Sequence, residues 1–511
     1  MHYLKRASEV KIALFLVICF LGATTLASAE IVLLDNKNLT FNLIPYLRAD
    51  MVVLKNNISL DSHNSADSSV YLGIDYSLGF DLKFKNDGPQ AFLKLERNGP
   101  YDYDAPLFIH NTLNTSVAPV EKYRGKELLP RLEEFWYDTP LFSLPLRFKS
   151  GLFVYEAANN VSTPSDYENF SFSLYGEKEN FEWEFYYCRP DLANKSFLGP
   201  RIKQEREQGI HYTPNKANFL ATDAVFSFKN NSLQPYIEIL ADYSGDKRTN
   251  LFSTPTHDDI LGTLGLAWNS TLNKLSLAIE AARNFGRAKS SDADFKNVEH
   301  CGYLIYAHGA YDLTRIIPHS SFVFASGNKV TPEMTGDGTL TSGKNRAFSA
   351  YSPLNTNLSD SLYPGIDNLP LVAMGAGNGL NYGINRPTTF GDPRLLENLI
   401  LVNLGLDYSL TDKLLLTFNW WYLRASERGI GTFLGENKKL SPDLGNEFDL
   451  SVNYELNKNI TLSLLSGYFL PGDYYYEERD DTGGSLFSPF VRGDGQANSA
   501  YQIELSLTVT F

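Results

Sequence analysis

The last eleven residues, YQIELSLTVTF, limit most tightly what this chain can fold into. Tyr501, Ile503, Leu505, Leu507, Val509 and Phe511 are apolar, and Gln502, Glu504, Ser506, Thr508 and Thr510 between them are polar. Side chains on a strand point alternately to opposite faces, so this segment predicts a strand with one apolar and one polar face. The alternation runs to the final residue, with no cap, tail or helix after it.

The same pattern recurs along the chain. Val70 to Phe84 alternates over fifteen residues, Phe181 to Cys188 over eight, and 400–408 and 447–454 repeat it. Strands are expected near 40–53, 69–84, 90–98, 130–137, 144–154, 168–175, 181–189, 218–228, 234–243, 259–269, 275–285, 301–312, 319–326, 398–409, 413–424, 446–456, 459–469 and 500–511. Their lengths suit a tilted crossing of a bilayer, which takes about 9–11 residues.

The connectors alternate as well. Short ones fall at 85–89, 176–180, 229–233, 270–274, near 410 and near 457. Long ones fall at 54–68, 99–129, 190–217, 244–258, 286–300, 327–397, 425–445 and 470–499. Outer-membrane barrels have short periplasmic turns and longer extracellular loops. Eighteen strands is an even number, which puts both termini and every short turn on the periplasmic side. The fold class is therefore all-β: a transmembrane antiparallel barrel of about 18 strands. Pairing of the last strand with the first leaves no exposed edge, so a chain can stop in mid-strand. A soluble sandwich would share the alternation along its strands but not the alternation of its connectors.

The N-terminus agrees with export. Lys5, Arg6 and Lys11 precede the apolar run 12–21, and Ala27-Ser28-Ala29 forms a small-x-small cleavage site. Residues 1–29 read as a cleaved signal peptide and 30–511 as the barrel domain, which places the protein in the cell outer membrane. Beyond residue 30 there is no apolar run of about 18 residues, the length a membrane-spanning helix needs. Cys188 and Cys301 can form at most one bridge, so no disulfide framework holds this chain. With 45 basic and 59 acidic residues the net charge is -14, which argues against nucleic-acid binding.

Three segments carry a family resemblance. LEEFWYD (132–138) followed by LPLRFKSGLF (144–153) is one, FVFASGN (322–328) with SLYPG (361–365) another, and LGNEFDLSVNYELNKNITLSLLSGYFLPGDYY (444–475) the third. Together they resemble the alginate-export family of outer-membrane β-barrels. The resemblance implies an 18-stranded porin-like channel that passes an acidic exopolysaccharide through a basic lumen. Where that family has arginine before Glu-Phe-Trp this chain has Glu133. Arg147 matches the family's first arginine, but its Gly-Arg-Gln reads Lys149-Ser150-Gly151 here.

The strand parity points Arg48, Asp50, Asp75, Lys83, Lys94, Arg147, Lys149, Glu182, Glu184, Glu280, Glu447, Asp449 and Glu504 at the lumen. Glu133 joins them as a pore-lining candidate through the family motif. Charges in a narrow barrel select permeants, or else pair and fill the wall. Arg147 and Lys149 are expected to act together as a basic stripe.

No metal site, cofactor or catalytic residue is expected. GDYYYEERDD (472–481) clusters five carboxylates without calcium-loop spacing and reads as a solvated loop. His257-Asp258-Asp259 near a strand start lacks a partner serine. The expected partners are outer-membrane lipid, the barrel assembly machinery through Phe511, and a polysaccharide or small-solute permeant, with the chain acting as a monomer. Three functions stay open: a channel, a plugged structural or binding barrel with surface loops, and a rim-active enzyme.

Overall fold

The computed structural model describes residues 31–55, 68–97, 131–141, 145–153, 155, 157–159, 170–189, 217–243, 256–290, 297–328, 343–348, 398–428, 430–433, 436–477 and 497–510. The expected signal peptide, Phe511 and most of the long loops lie outside the described residues.

Eighteen strands form a closed antiparallel barrel. They are β1 (Leu39–Lys55), β2 (Ser68–Phe84), β3 (Gln90–Arg97), β4 (Arg131–Pro140), β5 (Arg147–Leu152) and β6 (Phe170–Lys178). Next come β7 (Phe181–Cys188), β8 (Ala217–Phe228), β9 (Asn231–Asp242), β10 (Thr256–Leu272), β11 (Leu275–Ser290) and β12 (Tyr303–Tyr311). The wall ends with β13 (Ile316–Ala325), β14 (Leu399–Thr411), β15 (Leu414–Ala425), β16 (Asp443–Asn457), β17 (Ile460–Pro471) and β18 (Ala500–Thr510). Each strand pairs with its sequence neighbours, and β1 pairs with β18 from Tyr46↔Thr510 to Lys55↔Tyr501. That seam satisfies both edge strands, the condition for crossing a medium without hydrogen-bonding solvent.

Every expected strand is present. The stretch expected at 130–137 extends to Pro140, and that expected at 319–326 begins earlier, at Ile316. Three short additions border the barrel sheet: Ile31–Asp35 pairs β1, and Val298–His300 pairs both β11 and Lys344–Asn345. A separate hairpin joins Ile430–Phe433 to Glu436–Lys439.

The short turns gather at one rim. Glu179, Lys229 and Asn273 open two-residue turns at φ 55°, 55° and 56°, and Asn86 and Asp87 take 58° and 56°. Positive φ in a short turn matches the twist of the flanking strands, and Asn and Asp tolerate it best among non-glycine residues. The strand ends that the long connectors join lie at the other rim.

Outward residues are large, apolar and exposed, as at Phe135, Phe172, Phe185, Leu264, Leu266, Leu404 and Leu450. Aromatics concentrate near both ends of the wall. Phe181 and Phe226 sit 5.0 Å apart beside the short turns, and Tyr303 and Phe324 stack at 5.4 Å beside the long loops. An apolar band between two aromatic girdles is the surface a bilayer requires. At the turn end the outward Leu507 and Val509 are covered, packing with Ile460 and the partly buried Leu47 and Leu462.

Candidate functional site: the lumen

The inward face is polar toward the short turns and partly filled toward the long loops. On the loop side Tyr306, Val323, Leu401, Trp421 and Phe469 point inward and are buried. Leu444 at the start of β16 and Phe348, Leu440, Tyr474 and Tyr475 from the connectors pack with them. Tyr475 meets Phe469 edge-on at 5.9 Å, and the backbone N–H of Phe348 donates to the carbonyl of Ser326. Part of the 327–397 loop thus folds onto the inside of the wall. Phe153, Tyr155 and Ala157, which follow β5, are buried as well, against inward Tyr186 and Phe219.

Charged side chains line the rest. The guanidinium of Arg48 on β1 pairs with Glu504 on β18 at 2.5 Å, across the closing seam. Lys83 pairs with Asp81 at 2.8 Å, and Lys94 pairs with Glu96. Nε of Arg147 donates to Asp138 at 3.0 Å and to the Tyr175 hydroxyl at 3.2 Å. Its Nη atoms reach the carbonyls of Asp87 and Gly88 at 3.3 and 3.2 Å, and the Tyr175 hydroxyl donates to Asp138. The ammonium of Lys149 lies 4.3 Å from the centroids of both Trp136 and Phe153, close enough to Glu184 for their charges to attract. Each of these inward cations is held by a carboxylate, an aromatic face or both.

Carboxylates outnumber these cations. Asp223 accepts from the Tyr155 hydroxyl at 3.0 Å and from Gln234 Nε2 at 2.7 Å. Tyr236 donates to Glu280 at 2.8 Å, as does the backbone N–H of Asn159 at 3.1 Å. Tyr236 is on β9 and Glu280 on β11, so the ring must cross β10. Gly265 permits this, because a Cβ there would lie 2.0 Å from Tyr236 Cζ. Glu238, Glu447 and Asp449 are buried inward acids of the same wall.

The ladder places the sequence-derived residues as follows. Arg48, Lys83, Lys94, Arg147, Lys149, Glu182, Glu184, Glu280, Glu447, Asp449 and Glu504 occupy inward register positions. Asp50 pairs with Gly73 and Ser506, and Asp75 with Arg48; their side chains lie outside the described ones. Glu133 falls at a register shift, where Lys94 faces Glu134 and Leu95 faces Leu132; its side chain is likewise not described. The residues do not form one cluster. Arg147 and Lys149 share a stripe, yet each is engaged by different partners, so they are not a free basic pair.

Asp81, Glu96, Asp138, Asp223 and Glu238 were not singled out from sequence. All sit at the inward parity, so the alternation that selected Glu182 and Glu280 also marks them. Cys188 and Cys301 form no disulfide, and Cys301 Sγ donates to the carbonyl of Asn345. Asp258 and Asp259 go separate ways, to Lys289 at 2.9 Å and His300 at 2.8 Å. In the acidic loop, Asp473 opens a helical turn ending at Tyr476 and Glu477 accepts the backbone N–H of Ser441; 478–481 lie outside the described residues. Among the described residues no group of three His, Cys, Asp or Glu is placed to hold a metal ion.

The fold and lumen together define a closed 18-strand barrel with an apolar girdled exterior and a charged interior. No protein-family model matches the chain, and no curated protein matches it. Among solved structures, Pseudomonas aeruginosa OccK9 (OpdG) is similar at 9% identity, with a TM-score of 0.49 over 92% of this chain and 98% of that one. Pseudomonas aeruginosa OccK8 (OprE) is similar at 11% identity and a TM-score of 0.47, covering the same shares. A BenF-like porin from Pseudomonas fluorescens Pf-5 is similar at 9% and 0.46, over 92% and 99%. The barrel assignment rests on the chain's own closed ladder.

Proposed function

We propose that this chain is an outer-membrane channel that passes small polar solutes and favours cations over anions. One observation carries the reading: a closed barrel, apolar outside, in which the inward carboxylates among the described residues exceed the inward cations while each of those cations is already engaged. Fixed carboxylates in a narrow lumen attract cations and repel anions, since low-dielectric walls focus the field. Loop side chains packed inside the wall narrow the passage, which favours solutes over a polymer. Export of an acidic polysaccharide, the function implied by the resemblance to alginate-export barrels, needs a basic path, and Arg147 and Lys149 are tied to Asp138 and to aromatic rings.

The inward packing of Phe348, Tyr474 and Tyr475 favours a second reading, a barrel closed by its loops. Reversal potential in a planar bilayer under a KCl gradient tests both. A channel of this kind gives a potential on the cation-selective side. An anion-selective potential overturns the preference, and absence of steps supports the closed barrel.

A further inference from the structure

Glu238, on β9, stands out among the described acids of this wall: its surroundings do not explain it. Its side chain points inward, is 1% exposed, and neither carboxylate oxygen has a hydrogen-bond partner. The charged groups that act on it are Glu280 and Asp223, both acids. An unpaired buried carboxylate is among the costliest groups a protein can carry. Protonation alone does not satisfy it, because a carboxylic acid then needs an acceptor for its O–H.

The neighbours extend the pattern. Asn159 is fully buried, and both its side-chain oxygen and nitrogen lack partners, while its backbone N–H is bound to Glu280. The hydroxyls of Tyr155 and Tyr236 donate to the two neighbouring acids, Asp223 and Glu280. Elsewhere in this lumen an ammonium sits in such a setting: Lys149 between Trp136 and Phe153, beside Glu184. Glu238 has acids and rings around it, but none of the cations among the described residues reaches it. A bare divalent metal does not suit it, since hard cations want six or more close oxygens and no described trio of ligands converges. A flat or alkylated cation, able to lie on tyrosine faces and donate several N–H bonds, does suit it.

We propose that Asp223, Glu238 and Glu280, with Tyr155, Tyr236 and Asn159, bind the guanidinium or ammonium end of a small organic cation. That this is a station on a permeation path rests on the channel reading; the binding itself does not.

The test uses the full-length barrel in detergent, titrated calorimetrically with agmatine, which carries a guanidinium at one end and an ammonium at the other. Glucose and benzoate serve as neutral and anionic probes. Saturable binding of agmatine alone is expected, weakened at least tenfold by Glu238→Gln, which keeps the shape and removes the charge. Asp223→Asn is the second variant, in case the first fails to fold. Equal affinity in the wild type and a folded variant overturns the proposal, as does equal binding of all three probes. In bilayers, agmatine should produce brief current blocks in the wild type that Glu238→Gln abolishes. Saturable binding without any ionic current upholds the site and overturns the channel reading. Ionic current with no agmatine binding does the reverse.

Discussion

Replacing Arg147 by Met should loosen the barrel at its turn end and leave its ion preference on the cationic side. Arg147 ties three places together: Asp138 on β4, Tyr175 on β6, and the carbonyls of the turn at Asp87 and Gly88. A hydrogen bond to a charged group contributes about 1.5–3 kcal/mol net. The Arg147 side chain is 26% exposed, so solvent screens the pair and the lower part of that range applies. The carbonyl bonds are long, and Asp138 keeps its bond from Tyr175 after the change. The expected loss is about 2 kcal/mol. Urea unfolding of the barrel in lipid vesicles, followed by tryptophan fluorescence, reads it as a lower midpoint at unchanged slope. Arg147→Lys should fall between, because an ammonium cannot reproduce the planar fork. In a double-mutant cycle, Asp138→Asn should recover part of the loss, with a coupling of about 1–2 kcal/mol. Coupling below about 0.3 kcal/mol, within the scatter of independent sites, would refute the claim that Arg147 is spent on Asp138. A reversal potential shifted strongly toward cations would refute it differently, by showing that Arg147 acts as a free charge in the filter.

Further outcomes follow from the same geometry. Cysteines placed at Glu179 and Asn273 should be shielded from an impermeant thiol reagent in intact cells, and cysteines placed within 327–397 and 470–499 should react; the opposite labelling would invert the topology. Gly151 takes φ 138°, and a Cβ there would lie 2.0 Å from the Phe135 carbonyl, so Gly151→Val should separate β4 from β5 and lower the yield of heat-modifiable barrel. Normal yield would show that this edge yields cheaply. Deleting Phe511, the expected anchor for the assembly machinery, should leave the chain exported but poorly inserted, measured as membrane-fraction barrel against periplasmic precursor; full insertion would make the terminal residue dispensable.

The eighteen strands and their closure were legible in the sequence because both follow from local rules. Side-chain alternation has period 2 and depends only on the strand itself. Connector length needs no knowledge of contacts, so the short-long rhythm of Asn86–Asp87, Glu179–Asn180 and Asn273–Lys274 against the long loops already implied an even-stranded barrel. The facing of Arg48, Glu280 or Glu447 came from the same parity. What each inward charge does was decided only by the tertiary structure. Arg48 meets Glu504 from the other end of the chain, 456 residues away, and Arg147 meets a turn 60 residues before it. Charge pairing in a barrel depends on register between strands distant in sequence and on which glycine lets a ring cross, as Gly265 does for Tyr236. Neither is encoded in the pattern of a single strand. For that reason the sequence suggested a basic stripe at Arg147 and Lys149, whereas the folded wall holds both cations in place and leaves the buried carboxylate of Glu238 without a hydrogen-bond partner.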